Sequence, residues 1–232
     1  MVGTAVEQLV ELRNYQLAPG AAPAFAEHFE AHFLASQEAL GMDIVGQFLI
    51  VDDDDHFVWV RRYLDPARRS ESLGRFYSSP TWKEFGPRAN ELMVDVSDVH
   101  LLVPHPSRPG FANGHVPHAE RHDAAVVDDR STVVATCYQL ADAATLSPWV
   151  VAEMAAALGE VPNVAELGRL VSAGIGNDFP ALPIHEDTVA LWMLSDHDQG
   201  HAASAVAAAV GERCDLDART LRLAPTRRST LR

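Results

Sequence analysis

The sequence is poor in cysteine, in basic residues and in long apolar runs. Only Cys137 and Cys214 occur in 232 residues, so at most one disulfide can form, and we interpret both as reduced structural thiols. Lys and Arg number 18 against 32 Asp and Glu, a formal net charge of −14, which argues against a nucleic-acid or anionic-membrane partner. No apolar run is long enough to span a bilayer, and the first residues lack the pattern of a signal peptide. We therefore expect a soluble, cytoplasmic protein.

Several chemical signatures are missing as well. The sequence has no glycine-rich phosphate loop, no G-x-G-x-x-G and no G-x-S-x-G, which argues against nucleotide cofactors and serine hydrolase chemistry. Neither cysteine lies in a C-x-x-C motif, and no H-E-x-x-H is present. We expect neither a cofactor nor a metal ion.

The residue pattern of the first half predicts a mixed α+β unit. The composition, with 47% apolar and 22% charged residues, is typical of a globular protein. Alternation and helical periodicity predict strands at 7–17, 43–51, 56–64 and 97–103, with helices at 23–40 and 66–93. We expect the second helical region to break near Pro80 and Pro87, and the aspartate run 52–55 to form a hairpin turn. The order strand, helix, strand, strand, helix, strand is that of a ferredoxin-like module.

The second half repeats this order more faintly after a segment rich in Pro, Gly and His. Strands are predicted at 131–140, 164–172, 189–194 and 218–224, with helices at 142–158 and 197–210. We interpret the chain as a first ferredoxin-like module (1–103), a linker (104–130) and a second, degenerate module (131–232). An antiparallel sheet with helices on one face must cover its other face. We therefore expect tandem βαββαβ modules whose sheets pack into a barrel, within one chain or in a homo-oligomer.

Short stretches in fixed order resemble the NIPSNAP family, in its two-module actinobacterial form. They are ELRNYQLAPG (11–20), SQEALGM (36–42), VGQF (45–48), FVWVRRY (57–63), FYSSPTW (76–82), VHLLVP (99–104), NDFPALPIHE (177–186) and LRLAPTRRS (221–229). The resemblance implies the dimeric α/β-barrel superfamily, which contains cofactor-independent monooxygenases, isomerases, cyclases and dehydratases as well as haem enzymes. It therefore implies a fold and the binding of small molecules, but no single reaction.

Two predicted strands of the first module collect polar and aromatic side chains on one face. Because side chains alternate along a strand, this face contains Glu11, Arg13, Tyr15, Trp59, Arg61 and Tyr63. We expect Arg13 or Arg61 to stabilise an enolate and Tyr15 to move a proton, with Glu11, Trp59 and Tyr63 contacting the substrate. The alternative is an ordinary ion pair of Glu11 with an arginine, surrounded by core aromatics.

Histidines form further candidates. His28 and His32 lie four residues apart on one helix face and are predicted to act in acid–base chemistry, although the same spacing also suits partly buried side chains or two metal ligands. His197 and His201 repeat the spacing, where a solvated helix start is the simpler interpretation. The linker pattern of His115, His118 and His122 can bind a metal, but is more typical of a flexible polar segment.

Four more residues and one loop complete the candidate site. We expect substrate contacts from Tyr77, Trp82, Asn90 and Met93, the last two at the rim where the second helical region ends. The loop at 173–188 carries Asn177, Asp178 and His185 between prolines, and serves either as a lid or as a rigid connection.

The favoured hypothesis is a cofactor-independent enzyme of specialised metabolism. It would bind a hydrophobic aromatic or polyketide-like substrate between a sheet and its helices, and act by proton transfer (cyclisation, rearrangement or dehydration) or by cofactor-free oxygenation. A non-catalytic ligand-binding or protein-interaction module is the alternative, and a haem or metal protein is the third possibility.

Overall fold

The computed structural model describes residues 8–63, 65–107, 111, 131–141 and 146–232. The first half contains β1 (Leu9–Leu17), α1 (Ala22–His32), α2 (Leu34–Glu38), β2 (Met42–Ile50), β3 (Asp53–Tyr63), a 3-10 turn (Pro66–Arg68), α3 (Arg69–Ser78), α4 (Pro80–Leu92) and β4 (Met93–Pro104). The second half contains β5 (Thr132–Gln139), α5 (Pro148–Gly159), β6 (Val164–Ser172), β7 (Val189–Asp196), α6 (His201–Cys214) and β8 (Ala218–Pro225). In the described part, no helix is both long and apolar enough to cross a membrane.

The eight strands form one closed antiparallel barrel within a single chain. Their order is β1-β3-β2-β8-β5-β7-β6-β4, so each half supplies a four-stranded ferredoxin-like sheet. The two sheets meet where β2 pairs with β8 and where β4 pairs with β6. The predicted fold class, tandem ferredoxin-like modules in a barrel arrangement, is confirmed, and closure leaves the barrel without an open sheet edge.

Each strand separates two cores because its side chains point alternately inward and outward. The barrel interior is filled by apolar side chains of both halves, such as Leu12, Val60, Val133 and Leu191. The outward faces pack against the helices in two separate clusters, one for each half. The polar residues predicted on the first and third strands lie on the helix-covered face, because Tyr15, Trp59 and Tyr63 belong to that outer cluster.

Local sequence explains where the helices start. The Ser79 and Ser147 hydroxyls accept hydrogen bonds from the backbone N–H groups of Trp82 and Val150, which caps α4 and α5. In α1 the rings of Phe25 and Phe29 are buried, which directs one face of this helix toward the sheet.

Two predicted features of the first half are wrong in detail. The aspartates 53–55 belong to β3 rather than to a turn, because the chain already turns at Val51 and Asp52, the latter at a φ of 64°. The predicted helix 23–40 is divided at Phe33, where the Ser36 hydroxyl donates to the carbonyls of His32 and Phe33.

Two helices also differ from the prediction. The second helical region breaks before Pro80 as predicted, but α4 continues through Pro87. A proline has no backbone N–H to donate to the carbonyl of the preceding turn. Because Pro87 is exposed, water can donate a hydrogen bond to that carbonyl instead. Helix α6 begins at His201, after Gly200 at a φ of 77°. The carboxylate of Asp196 accepts the backbone N–H of Ala203 at 3.0 Å and stabilises the later start.

Some predicted features lie outside the described residues. These are most of the linker, with His115, His118 and His122, and the start of the helix predicted at 142–158.

Candidate ligand-binding site

The pairing of β1 with β3 brings the charged and aromatic side chains of the outer face together. Glu11 lies opposite Arg61, and Arg13 lies opposite Trp59. Both pairs face the helices, so they are covered rather than solvated. All four side chains are buried, with at most 3% of their surface exposed.

A buried charge network surrounds the Glu11 carboxylate. Its Oε2 atom accepts from Arg13 Nη1 at 3.1 Å and from Arg61 Nε at 3.0 Å, and Arg61 Nη2 makes a further short contact with the same oxygen. Its Oε1 atom accepts from Tyr63 at 3.0 Å and from Arg69 Nε at 2.8 Å. One buried carboxylate is therefore shared by three guanidinium groups.

The network holds Glu11 ionised. Burial by itself raises the pKa of Glu11, but the charges of Arg61, Arg13 and Arg69 outweigh burial and hold the pKa well below its usual value. Burial also raises the pKa of Tyr63 well above its usual value, so this hydroxyl stays protonated as a donor. Glu11 is consequently unsuited to accept a proton from a substrate, and its function in the network is to pair the arginines.

An aromatic cavity adjoins this network between the sheet and helices α1 to α4. Its volume is about 220 Å³. Six predicted site residues line it, namely Tyr15, Trp59, Tyr77, Trp82, Asn90 and Met93. Gln37, Phe25, Phe29, Phe33, Phe76, Ala89, Val96 and Leu182 complete the wall.

Two residues connect the cavity wall to the charges behind it. The Tyr15 hydroxyl accepts from Arg13 Nε at 2.9 Å, and the Gln37 side-chain oxygen accepts from Arg61 Nη1 at 2.8 Å. Tyr77, also in the wall, has its pKa raised to about 12 by burial, so its hydroxyl is a donor near neutral pH. The cavity thus combines apolar walls with few polar groups, as small-molecule sites do.

Three buried donors of the network and the cavity wall have no partner among the described residues, and of these only Trp59 lines the cavity. Among the described residues, no hydrogen-bond acceptor contacts Arg13 Nη2, Trp59 Nε1 or Arg69 Nη2. Arg61, in contrast, uses its Nε and both terminal nitrogens on Glu11 and Gln37. An unpaired buried donor carries a desolvation cost that a ligand oxygen can remove. Of the two predicted arginines, Arg13 is the one with a nitrogen available.

The loop at 173–188 of the second half lies against the first module's cavity. Leu182 lines the cavity, and the ring of Phe179 stacks on Tyr77 with centroids 6.1 Å apart. Asp178 pairs with Arg69 at the edge of the charge network. The second half therefore completes a site that is otherwise built by the first.

Sequence reasoning did not identify Arg69 and Gln37 as site residues. Arg69 follows Arg68 at the start of a helix and gives no signal of burial in the sequence, and Gln37 looks like an ordinary polar helix residue. Only the packing of α2 and α3 on the sheet brings them to the network.

The predicted histidines lie behind the cavity wall or elsewhere on the surface. His28 and His32 do not belong to its lining. His28 Nε2 lies 2.9 Å from the Phe85 carbonyl oxygen, and His32 stacks on the Phe85 ring with centroids 3.7 Å apart. Burial and the neighbouring His28 lower the pKa of His32. His197 and His201 are exposed at the start of α6.

One cluster among the described residues has the chemistry of a metal site, at the other side of the sheet. Ligand atoms of Asp98, His100 and His185 all lie within 4.8 Å of one another.

Comparison with known proteins finds a family match in the first half of the chain. The NIPSNAP family model matches residues 10–109. A NIPSNAP-like domain protein from Burkholderia xenovorans is 25% identical, over 48% of this chain and 94% of that one, with a TM-score of 0.41. No curated protein matches the chain.

Several solved structures match nearly the whole chain. One, a proposed monooxygenase from Lactobacillus acidophilus, is 11% identical over 94% of both chains, with a TM-score of 0.53. Another, an anthrone oxidase-like protein, is 13% identical over 95% of this chain and 92% of that one, with a TM-score of 0.52. At these identities the likeness establishes a shared fold.

Proposed function

We propose that this protein, whose first module belongs to the NIPSNAP family, binds a small aromatic compound with an anionic or enolisable oxygen and acts on it without an organic cofactor. The ligand occupies the aromatic cavity, its rings against Tyr15 and Trp59. A volume of about 220 Å³ is below the range of roughly 300–1,000 Å³ for drug-sized ligands, which favours a compound of one to three rings.

The observation that carries this proposal is the unpaired positive charge behind the aromatic wall. Three buried guanidinium groups face Glu11 and the half-exposed Asp178, which leaves one positive charge in excess. Arg13 Nη2 and Trp59 Nε1 have no described partner. A ligand oxygen that accepts from both groups satisfies the donors and balances the charge.

The same arrangement supports a reaction through an anion. Arg13 and Trp59 stabilise the negative charge that forms on the substrate oxygen when a water molecule or hydroxide ion from the solvent takes an adjacent acidic proton. The Tyr15 hydroxyl, which accepts from Arg13 Nε, donates a proton to the substrate. Such an enolate leads to cyclisation, rearrangement or dehydration, or reacts with dioxygen. Reaction with dioxygen is compatible with the similar folds of a proposed monooxygenase and an oxidase-like protein.

Binding of 2-naphthoate, compared with naphthalene, tests the anion subsite. Trp59→Phe keeps a ring and removes the indole N–H, and we expect 2-naphthoate affinity to fall about tenfold or more, since a hydrogen bond to a charged group contributes about 1.5–3 kcal/mol. Naphthalene affinity is expected to change little. Arg13→Met should weaken 2-naphthoate binding further, whereas Arg88→Met, on the exposed face of α4, serves as the control. Equal affinities of wild type and both cavity variants for 2-naphthoate would contradict the proposal.

Turnover is tested separately with anthrone, an aromatic ketone with an acidic C–H bond. We expect the protein to accelerate exchange of this hydrogen in D₂O, measured by NMR, and Arg13→Met to remove most of the acceleration. Oxygen consumption in the same samples shows whether the enzyme also oxygenates anthrone. Binding of 2-naphthoate without any acceleration would favour the non-catalytic ligand-binding module.

A further inference from the structure

A second cavity opens near one end of the barrel, away from the aromatic site. It has a volume of about 330 Å³ and is lined by polar residues of both halves. Asp98 and His100 come from β4, and His185 and Asp187 come from the loop at 173–188. Neither the charge network nor the aromatic cavity uses these four side chains.

The two imidazole rings of this cavity lie side by side. Their centroids are 4.9 Å apart and their planes differ by 21°. Both Nε2 atoms face one carboxylate oxygen, Asp98 Oδ1, at 3.8 Å from His100 and 3.3 Å from His185. Both Nδ1 atoms face Asp187 Oδ1, at 3.6 Å and 4.0 Å respectively. The cluster is thus arranged with one carboxylate on each side of a ring pair.

These separations are too long for ordinary hydrogen bonds but suit ligands that share an ion. An N–H···O bond has a donor–acceptor distance of about 2.7–3.2 Å, and all four distances exceed it. Ligands about 2.0–2.2 Å from a tetrahedral zinc ion lie about 3.3–3.6 Å from one another. The Asp98–His185 distance of 3.3 Å already has this value, and the Asp98–His100 distance needs only a small closure.

The surrounding contacts fix the ligand atoms. Asp98 Oδ2 accepts from Asn14 Nδ2 at 2.9 Å and from Arg219 Nη1 at 2.7 Å, which leaves Oδ1 to the histidines. The backbone N–H of His185 donates to the Val99 carbonyl at 2.7 Å, which holds the loop beside β4. His100 is only 9% exposed, and no described residue forms a hydrogen bond with its ring. A buried imidazole is otherwise expected to have a partner.

We propose that His100, His185 and Asp98 bind a divalent first-row transition metal ion, with zinc as the probe, while Asp187 orients the two imidazole rings. Two imidazoles and one carboxylate form a common ligand set for such ions, and a carboxylate behind a ligand histidine is the usual outer partner. The two aspartates outnumber the single cation Arg219, so the site favours a dication.

Metal binding here would have a structural consequence. His100 belongs to the first module, and His185 to the loop that also carries Phe179 and Leu182 over the aromatic cavity. One ion therefore ties this loop to the barrel. The assignment does not depend on the proposed reaction, because it rests on a different cluster of residues.

Titration of the full, chelator-treated chain with Zn²⁺ tests the site. We expect one tightly bound ion for each chain by native mass spectrometry and calorimetry. His185 is half-exposed on a loop, so His185→Ala should fold, and circular dichroism verifies this. We expect the affinity of the His185→Ala variant for Zn²⁺ to be at least a hundredfold lower than that of the wild-type chain. Asp187→Asn should weaken binding by about 10–100-fold, as for other outer partners of metal ligands.

Two controls separate this site from other histidines. His56→Ala removes a partly exposed imidazole that lies 2.8 Å from Asp53, and should leave the affinity unchanged. The triple variant His115→Ala, His118→Ala, His122→Ala removes the linker pattern and should also leave it unchanged. The proposal is overturned if the wild-type chain does not bind Zn²⁺, if His185→Ala binds as tightly as wild type, or if the linker variant alone abolishes binding.

Discussion

The two modules share one fold but use the same positions of the sheet in opposite ways. At the register where Glu11 pairs with Arg61 in the first module, Val134 pairs with Leu194 in the second. Val134 and Leu194 are buried in an apolar cluster without a charge between them. The second module therefore shows that this fold forms without buried ions at these positions.

The tryptophans of the two modules sharpen this contrast. Trp59 and Trp192 occupy equivalent places, opposite Arg13 and Thr136. Trp192 Nε1 donates to Glu166 at 3.0 Å, whereas Trp59 Nε1 has no described partner. One indole therefore has a partner in the protein, and the other is the donor that we propose for the ligand oxygen.

The covering helices of the two modules differ in the size of the side chains that they present to the sheet. Helices α1 to α4 present large rings, which contact each other at angles, as Phe33 and Phe76 do at 87°. Helix α6 presents small side chains, such as Ala203 and Ala207, which allow close approach to the sheet. Rigid rings that meet at an angle leave space between them, whereas alanines and branched aliphatic side chains pack closely against the sheet.

The largest expected difference in unfolding free energy between the modules comes from substituting one central side chain in each. Glu11→Gln leaves three buried arginines without their shared charge, and we expect a loss of about 3–5 kcal/mol in the free energy of unfolding. Val134→Ala, at the equivalent position, removes two buried carbons and should cost about 2 kcal/mol. Urea unfolding monitored by circular dichroism measures both. A cost of Glu11→Gln no greater than that of Val134→Ala would show that the network contributes no more than ordinary packing.

The stabilisation from Glu11 is also expected to depend on pH. Its pKa in the folded chain lies below the ordinary value of 4.5, so its contribution is complete above that value. Below it the unfolded chain binds a proton that the folded chain does not, and stability falls as the pH falls. The difference in unfolding free energy between wild type and Glu11→Gln should be constant from about pH 7 to 5 and shrink at lower pH. The loss of unfolding free energy in Val134→Ala should not change with pH. If the loss in Glu11→Gln were also independent of pH, Glu11 would not be the source of the pH dependence.

Enlarging one buried alanine in each module compares the space beside Ala89 with the space beside Ala207. Ala89 lines the aromatic cavity, and Ala207 is fully buried in the second core. We expect Ala207→Leu to cost about 1–3 kcal/mol through overpacking, and Ala89→Leu to cost less than about 1 kcal/mol because the new side chain enters the cavity. Ala89→Leu should abolish 2-naphthoate binding, measured by calorimetry. Unchanged binding in this variant would place the ligand elsewhere.

The smallest expected effect comes from exchanging the two tryptophans for phenylalanine. Trp192→Phe leaves Glu166 without one of its donors, so it should destabilise the fold by about 0.5–1.5 kcal/mol more than Trp59→Phe does. Ligand affinity should show the reverse order, since only Trp59 lies in the cavity. Thermal unfolding and 2-naphthoate titration of both variants check the two orders. Equal stability losses would indicate that Trp59 has a partner in solution.

Strand and helix order could be predicted from the sequence because alternation and helical periodicity are local. The segment predicted as a strand at 164–172 has the same bounds as β6. Errors arose where one side chain decides the local geometry. The aspartates 53–55 look like a turn, but they belong to β3, after the turn at Val51 and Asp52.

The candidate site could be predicted only where it follows a strand. Alternation on β1 and β3 brought Glu11, Arg13 and Arg61 to one face, and the structure joins them in one network. His28 and His32 share a helix face, but periodicity does not tell which neighbour that face meets, and Phe85 covers it instead of the cavity. Their assigned role in acid–base chemistry remains a prediction without a contact to the cavity.

The sequence by itself determined the fold class and the side chains on each strand face, because both depend on residues close together in the chain. Only the tertiary structure decided that the two sheets close into one barrel within the chain, and that a loop of the second module completes the cavity of the first. It also decided that His100 and His185 meet, since they come from a strand and a distant loop with no spacing pattern between them. Such contacts depend on how large surfaces pack, and packing is a property of the whole chain.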